Sequence, residues 1–368
     1  MRIAVISSRT YPACVPDDKH NLSRYGSEWI AAVLAQELSK SHQIDWYAAA
    51  GSSTFDDNPN ITFHPLVPDF GQANSELLDT CSYEGLKYTE LLKADYIIDH
   101  SATAANIEEV KWYHGYDRYC AYRNGFAGFN FPRLPVQDKH YIVPSKQNQD
   151  IFKHYGFESQ VIYYGIPEFY RPGGIRKHWL YFTERYHLDI KDYFLFLHRP
   201  TVDKGVNTII QLAKDLPTTK FVVAGFTPIQ EHVSALMQMK KDARKLENII
   251  FVELPLNYEH HYYERELYRN AKAFMAPFDA KNYWEGFGLS NASAVACGCP
   301  LIISDSESTR ELWIEGKDCL IGDSYKSFKY IVEYFDSIGT GLKPENKFTV
   351  EQYGKEYEKL AVMANMAL

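Results

Sequence analysis

The sequence lacks the features of a disulfide-stapled, zinc-binding or membrane-spanning protein. Its six cysteines form no CxxC pair and no framework of regular spacings, so we expect reduced thiols. No stretch approaches the run of about 18 apolar residues that a membrane helix needs. The opening "MRIAVISS" is a short strand-like run with one charge, so we expect no signal peptide there. These absences predict a cytoplasmic protein with at most a peripheral contact at the inner membrane face.

The sequence also lacks an excess of positive charge and the common phosphate-binding motifs. Lys and Arg number 39 against 47 Asp and Glu, which gives a net charge of -8 and argues against nucleic acid as a partner. The absence of GxxxxGK[ST] excludes a P-loop, and the absence of GxGxxG after the first strand argues against a dinucleotide enzyme. An anionic ligand must therefore be bound by a few placed cations.

Histidine and cysteine do not occur with the spacing of a metal site. His260 and His261 are adjacent, and Cys297 and Cys299 flank a single glycine. Local packing explains both pairs better than metal ligation does. We therefore expect no metal and no other cofactor.

The chain is long enough for two domains, because 368 residues exceed the usual limit of one hydrophobic core. Short apolar runs alternate with segments of helical period, which predicts a parallel sheet covered by helices, and the pattern occurs twice. A Pro-Gly-Gly sequence at 172–174 interrupts it and predicts a linker. We expect an N-terminal domain over 1–170, a C-terminal domain over 171–347 and a C-terminal helix over 348–368.

Polar residues at the ends of predicted strands are candidates for ligand contacts, since ligands of such sheets bind there. "HRPTVDKG" places Arg199 and Lys204 at the end of the buried strand predicted from "YFLFLHRP" and before a helix, where two cations could neutralise a diphosphate. Solvated surface charges are the alternative. "EGFG" places Glu285 before a glycine turn that opens a helix, either to bind sugar hydroxyls or to cap that helix.

Two further candidates lie in the first half of the chain. His114 ends the predicted strand "VKWYHG", either as a hydrogen-bond partner for the ligand or as a histidine of the core. Gly26 opens the first predicted helix, where it forms an ordinary turn or a backbone floor under an anion.

Together these segments resemble the retaining glycosyltransferases of family 4, which have the GT-B fold. That family has a Gly-Gly-x-Glu helix start, a His-Gly, an N-G-I-D-like crossover, a GRLxxEKG run and an ExFGLxxxEAxAxGxPVV segment, in this order. The chain has "YGSE" from Tyr25, "HG" at His114, "YGIP" from Tyr164, "HRPTVDKG" from His198 and "EGFGLSNASAVACGCPLI" from Glu285. The resemblance spans nearly the whole chain. It implies two Rossmann-like, doubly wound α/β domains facing across a cleft, with a C-terminal helix crossing back to the first domain.

The resemblance implies a role for each matching residue. Arg199 and Lys204 would stabilise the diphosphate leaving group, where negative charge develops. Glu285 would hold the donor sugar by its hydroxyls, and His114 would contact the sugar from the first domain. These four are the expected catalytic residues. The expected donor-binding residues are Gly26, Gly225, Leu254, Gly286, Phe287, Gly288, Leu289 and Ser293.

The implied activity is metal-independent, retaining transfer of a sugar from a UDP- or GDP-sugar to a hydroxyl acceptor. The acceptor would be a glycan, a lipid-linked molecule or a small molecule. Tyr116, Arg118 and Arg123 are the expected acceptor contacts, because aromatic faces stack on sugar rings and arginines bind phosphate. A packed loop or an interface patch explains the stretch 116–135 equally well.

Several positions depart from the family pattern. The family's second Glu, which usually binds the ribose, is Ser293 here, the Gly before the Arg is His198, and the Gly-Gly after the last strand falls in "SES" at 306–308. Losing the charge-assisted bond at Ser293 costs about 1 to 3 kcal/mol if nothing compensates. Nucleotide affinity or donor choice is therefore expected to differ from the family norm.

Two other functions stay open. A catalytically silent paralogue would bind a nucleotide sugar or scaffold an active transferase without turnover. A nucleotide-sugar epimerase uses similar paired domains, but the Glu-x-Phe-Gly-Leu segment disfavours it. The nucleobase, sugar, acceptor and oligomeric state cannot be read from these residues.

Overall fold

A computed structural model provides the structure of the protein. The described residues are 1–7, 26–49, 52, 58–66, 94–100, 119–122, 140–154, 158–173, 177–199, 201–225, 230–254, 260–280, 285–338 and 341–366. The chain divides into two compact units. Unit 1 comprises Met1–Pro167 and Phe348–Leu368, and unit 2 comprises Glu168–Lys347.

Parallel strands and helices make up both units, and in unit 2 they alternate along the chain. The strands are β1 (Arg2–Ile6), β2 (Gln43–Ala49), β3 (Ile61–Leu66), β4 (Tyr96–Asp99), β5 (Tyr119–Tyr122), β6 (His140–Val143), β7 (Ser159–Val161), β8 (Tyr193–Leu197), β9 (Lys220–Ala224), β10 (Ile249–Val252), β11 (Ala273–Ala276), β12 (Leu301–Ser304) and β13 (Cys319–Gly322). The described helices are α1 (Gly26–Leu38), α2 (Lys146–His154), α3 (Trp179–Tyr186), α4 (Val206–Asp215), α5 (Gln230–Ala243), α6 (His260–Asn270), α7 (Leu289–Ala296), α8 (Glu307–Leu312), α9 (Tyr325–Ile338) and α10 (Val350–Met366).

Unit 1 contains a parallel sheet in the order β3-β2-β1-β4-β5-β6-β7. Its central strand β1 is buried from Ile3 to Ile6. Such a continuous apolar run is typical of a parallel strand covered on both faces. The predicted strand at 110–115 lies outside the described residues. On the side away from β1, β4 pairs with β5, which lies inside the stretch 116–135 that the sequence assigns to acceptor contacts.

The last helix completes unit 1. The Ile166 N–H donates to the Phe348 carbonyl at 2.8 Å, which joins the two stretches of the unit. Helix α10 then packs on α1, where a Cβ added at Gly354 would lie 2.7 Å from Glu37 Cγ. Tyr353 and Tyr357 of α10 are buried. The predicted C-terminal helix therefore forms part of the hydrophobic interior of unit 1.

Unit 2 contains a parallel sheet in the order β10-β9-β8-β11-β12-β13. Counted from the start of the unit, this order is 3-2-1-4-5-6, the order of Rossmann-like sheets. One face packs Phe194 and Phe221 against helices that include α4 and α9. On the other face, the Tyr268 ring of α6 lies 5.3 Å from the Phe274 ring. The order reverses between β8 and β11, so a ligand is expected beyond their carboxyl ends.

Among the described residues, none of the helices combines the length and apolar character needed to cross a membrane.

A buried histidine gives unit 1 a predicted acid sensitivity. His100 is buried and packs against Tyr357, with ring centroids 6.1 Å apart. Burial lowers the pKa of His100 from 6.5 to about 3. Because the folded-state pKa lies below the unfolded value, stability present above that unfolded value is lost as the pH falls towards the folded one.

We expect the free energy of unfolding to fall by about 2 kcal/mol, through His100 alone, between pH of about 6.5 and about 5. The measurement is urea denaturation of the wild type and His100→Gln at both pH values. The variant should lose this part of the pH dependence. An equal loss of unfolding free energy in both proteins between the two pH values would contradict the prediction.

Candidate functional site

The turn after β8 carries the two candidate cations. All five residues of β8 are buried, and the strand ends one residue before His198. A tight turn then runs to α4, in which the Lys204 N–H donates to the Thr201 carbonyl at 3.2 Å and the Gly205 N–H to the Val202 carbonyl at 2.9 Å. Lys204 is thereby held at the start of α4, just beyond the sheet.

Gly205 lets this turn approach the neighbouring strand exit. It has a φ of 84°, and an added Cβ would lie 1.8 Å from the carbonyl oxygen of Pro277, which follows β11. The Asp279 N–H also donates to the Asp203 carbonyl at 3.2 Å. The β8 turn and the β11 exit are therefore in backbone contact.

The exit of β11 leads to the turn that carries Glu285. Gly288 precedes α7 with a φ of 71°. A Cβ there would lie 2.3 Å from Asn291 Nδ2 and 3.2 Å from Glu285 Cγ. The left-handed φ favours glycine at this position, and an added Cβ would also displace the Asn291 side chain. Both α4 and α7 thus begin after a glycine, which has no side chain to cap the first-turn amides, and such helix starts favour anions.

Lys204 and Glu285 form an ion pair in which the Lys204 ammonium donates to Glu285 Oε2. Their side chains are 10% and 15% exposed. The two residues come from adjacent strand exits at the point where the strand order reverses. With half-buried Arg199 the site carries two cations and one carboxylate. The cations can bind an anionic group of a ligand, and the carboxylate can accept hydrogen bonds from its hydroxyl groups.

His198, which stands where the resembled family has glycine, is buried beside these cations. Its ring lies 4.9 Å from the Phe274 ring, and its Nε2 has no hydrogen-bond partner among the described residues. Burial, together with the charges of Lys204 and Arg199, holds the pKa of His198 well below its usual range. The imidazole is therefore neutral near pH 7 and adds no charge to the site.

Gly225 lies next to His198 at the end of β9. An added Cβ would lie 2.3 Å from the His198 carbonyl oxygen. Leu254 follows β10 and is buried. Both predicted donor-binding residues are thus at the carboxyl ends of strands in the same sheet.

Helix α7 carries the remaining predicted donor contacts. Leu289 opens the helix and Ser293 is buried on it, as is Phe287 in the preceding turn. Gly286 directly follows Glu285 in that turn. Ser293, which stands where the resembled family has its second carboxylate, therefore places a buried hydroxyl on the helix that starts beside Glu285.

Hydroxyl groups hold both ends of the segment that leads to Glu285. Ser304 Oγ donates to the Phe278 carbonyl at 2.6 Å, and Ser308 Oγ donates to the Glu285 carbonyl at 2.5 Å. Ser304 ends β12 and Ser308 lies in α8. The next strand and helix along the sheet therefore support the main chain of Glu285.

The remaining predicted residues are placed elsewhere or not described. Gly26 is the first residue of α1 in unit 1. The predicted sugar contact His114 and the predicted acceptor contacts Tyr116, Arg118 and Arg123 lie outside the described residues. Their expected roles stay predictions.

The adjacent histidines and the two neighbouring cysteines each have a local environment that explains them without a metal. His260 Nε2 lies 2.8 Å from Glu264 Oε1, and His261 Nδ1 lies 3.1 Å from Glu264 Oε2. Cys297 and Cys299 are buried, which raises the pKa of both thiols. Within the described part of the chain, no group of three or more His, Cys, Asp and Glu side chains is placed to hold a metal ion.

The family-like motifs do not identify two residues that the structure brings to the site. Ser308 bonds the Glu285 carbonyl, and the Asn291 side chain occupies the space beside Gly288. The sequence signals for these two residues are the hydroxyl-rich stretch "SDSEST" at a strand end and the single amide in the small-residue helix "LSNASAVA". Neither pattern specifies the contact that the residue makes. The Glu285 carbonyl lies on another part of the chain from Ser308, and Gly288 lies across a turn from the Asn291 side chain.

Residues 184–352 match a family model described as "Glycosyl transferases group 1". The matched segment contains Arg199, Lys204, Glu285 and Ser308. No curated protein sequence matches the chain.

Solved structures similar to this one include several glycosyltransferases. Sucrose-phosphate synthase from Thermosynechococcus elongatus aligns with a TM-score of 0.73 and 15% identity, over 100% of this chain and 98% of that one. HepE from Anabaena, in complex with UDP-glucose, aligns with a TM-score of 0.70 and 14% identity over 100% of both chains. A glycosyltransferase from Rickettsia africae aligns with a TM-score of 0.69 and 14% identity, over 99% of this chain and 98% of that one. At such identities the likeness shows the fold, and the expected GT-B α/β fold is confirmed.

Proposed function

We propose that the chain is a glycosyltransferase that takes a sugar from a UDP- or GDP-sugar and transfers it to a hydroxyl of a glycan, a lipid-linked molecule or a small molecule. The observation that carries the proposal is the Lys204–Glu285 ion pair where the strand order of unit 2 reverses. The match of residues 184–352 to the glycosyl transferases group 1 model supports it.

The cations suit the leaving group of such a reaction. Breaking the bond between the sugar and a nucleoside diphosphate leaves negative charge on the diphosphate. Lys204 and Arg199 stand beside the start of α4, where ammonium, guanidinium and main-chain N–H groups all stabilise that charge. In this proposal the two side chains neutralise the departing diphosphate.

The carboxylate suits the sugar. Glu285 is fixed in a glycine turn at the start of α7, and its oxygens accept hydrogen bonds. A carboxylate beside a diphosphate site is useful only if it contacts a neutral, hydroxyl-rich part of the same ligand. In this proposal Glu285 therefore accepts hydrogen bonds from the donor-sugar hydroxyls, while the main chain of Gly286 to Gly288 lies against the ring.

We further propose retention of configuration without a metal and without an enzyme base, as the resemblance to family 4 implies. The acceptor hydroxyl would attack on the face that the diphosphate leaves, and the departing phosphate oxygen would accept the acceptor's proton. His114 would contact the sugar. The first-half residues Tyr116, Arg118 and Arg123 would contact the acceptor.

A donor panel tests the proposal. The protein is incubated with UDP- and GDP-sugars, starting with UDP-glucose, the ligand of HepE, and slow donor hydrolysis and the shift in Tm are both measured. Glucose 1-phosphate, which lacks the nucleotide, serves as the ligand control. Hydrolysis of a donor supports the transferase. A Tm shift without any turnover would favour a catalytically silent nucleotide-sugar-binding protein, and no shift with any nucleotide would contradict both functions.

The residue that replaces the family's second carboxylate gives a separate prediction. Ser293→Glu is expected to tighten UDP binding by about tenfold, because a carboxylate adds a charge-assisted hydrogen bond to the ribose. Turnover should change much less than affinity. Calorimetric titration of UDP checks this, with Ser293→Gln as the control of equal size without the charge. Equal affinities of the two variants would contradict the ribose assignment.

A further inference from the structure

The position of Glu285 depends on a hydroxyl that the glycosyltransferase motifs do not include. The Glu285 carbonyl accepts a 2.5 Å hydrogen bond from Ser308 Oγ. This carbonyl belongs to the same residue whose carboxylate pairs with Lys204. The bond therefore fixes the peptide directly attached to the functional side chain.

The hydroxyl that makes this bond is itself held in place. Ser308 is 2% exposed and lies in α8, whose N-cap Ser306 accepts a hydrogen bond from the Thr309 N–H at 3.0 Å. Thr309 Oγ1 in turn donates to the Ser304 carbonyl at 2.9 Å. The Thr309–Ser304 bond is buried and the other two bonds are partly buried. Hydrogen bonds that are shielded from water are stronger than exposed ones.

Ser304 holds the other end of the same segment. Its Oγ donates to the Phe278 carbonyl at 2.6 Å, immediately after β11. The chain between Phe278 and Glu285 is thus tied at both ends to β12 and α8. Of the two ties, only the one from Ser308 reaches the residue proposed to bind the sugar.

We propose that Ser308 is a positioning residue for Glu285. It acts on the reaction through Glu285: its hydroxyl holds the Glu285 peptide so that the carboxylate is directed at Lys204 and at the donor sugar. The proposal rests on the proposed function of Glu285. The position corresponds to the Gly-Gly of the resembled family, and glycine has no hydroxyl with which to make this bond. A misplacement of about 1 Å at a reacting group is enough to cost up to about 100-fold in rate.

Thr309 provides a matched control for a purely structural role. It neighbours Ser308 in α8, is equally buried at 2% exposure, and also donates its hydroxyl to a main-chain carbonyl. Its acceptor is Ser304 and not Glu285. Thr309→Val therefore removes a similar main-chain bond from the same helix, together with the bond that Ser306 Oγ donates to Thr309 Oγ1 at 2.9 Å. It keeps the Ser308 hydroxyl that bonds the Glu285 carbonyl.

The first measurement needs no substrate. Hydrogen exchange, followed by mass spectrometry, is compared among the wild type, Ser308→Ala and Thr309→Val. Ser308→Ala is expected to speed exchange of the amides from Gly286 to Gly288 by about tenfold. Thr309→Val should not. Unchanged exchange in Ser308→Ala, or an equal increase in both variants, would overturn the proposal.

The second measurement uses turnover of the donor found in the panel. Ser308→Ala is expected to lower kcat by about tenfold with little change in KM, and Ser308→Thr, which keeps a hydroxyl, should restore it. In a Glu285→Gln background the Ser308→Ala change should have no further effect on kcat. Additive losses would overturn the proposal.

The two measurements separate this proposal from the proposed function. If the wild type turns over no donor, the transferase assignment fails. Faster exchange in Ser308→Ala alone would then still support the anchoring of Glu285 by Ser308, and unchanged exchange would overturn it.

Discussion

Replacing Glu285 with Gln is expected to lower kcat/KM for the donor about 100-fold or more. The change keeps the size of the side chain and removes its charge. The sugar hydroxyls lose a charged acceptor, and the Lys204 ammonium loses the carboxylate with which it pairs. Lys204 is only 10% exposed, so solvent cannot make up for that loss.

Donor hydrolysis and transfer rates of the purified variant check this expectation. Glu333→Gln is the matched control, because Glu333 is an exposed carboxylate on α9. Its rates should equal those of the wild type. If Glu285→Gln keeps more than about half of the wild-type kcat/KM, a factor too small for the loss of a charged hydrogen bond, then Glu285 does not bind the reacting sugar.

Replacing Gly205 with Ala is expected to lower the free energy of unfolding by about 3 kcal/mol or more. The left-handed φ of 84° disfavours any side chain. In addition, the new Cβ would lie 1.8 Å from the Pro277 carbonyl oxygen, far inside the contact distance of two non-bonded atoms. The Cβ is fixed to the main chain of residue 205, and it clashes with main-chain atoms of Pro277. A change of rotamer therefore cannot relieve the clash. The turn of Lys204 must therefore move away from the β11 exit.

Gly316→Ala separates the two causes. Gly316 has a similar φ of 81°, but an added Cβ meets nothing within 4 Å. Only the conformational cost applies there, about 1 kcal/mol. Chemical denaturation of both variants measures the difference. Equal losses at the two glycines would mean that the close approach of Gly205 to Pro277 contributes nothing.

Much of the fold could be predicted because both sheets are parallel. Strands covered on both faces are continuous apolar runs such as "YFLFL" and "FVVA", which are easy to recognise between helical segments. Strand β3 is harder, since it includes His64 and Pro65 and lies at the sheet edge. Helix α3 follows the Pro-Gly-Gly break closely and has no charged first turn, so the sequence there indicates only a linker.

Part of the candidate site could likewise be predicted from the sequence, and part could not. Residue type and position after a strand were enough to select Arg199, Lys204 and Glu285, whose roles stay predictions. The contact between Lys204 and Glu285 could not be predicted, because it joins residues 81 apart in sequence. The Ser308 bond depends on the exact path of the main chain. A sequence motif carries no information about such a path.

The two-part construction of unit 1 affects the order in which the protein folds during synthesis. Unit 2 is one continuous stretch, complete once Lys347 has been made. Unit 1 needs α10, which is translated after all of unit 2 and packs on α1. Until then the face of α1 on which α10 packs has no final cover. The second unit can thus reach its native state first, while the first stays incomplete and open to chaperones for the whole time that unit 2 is made.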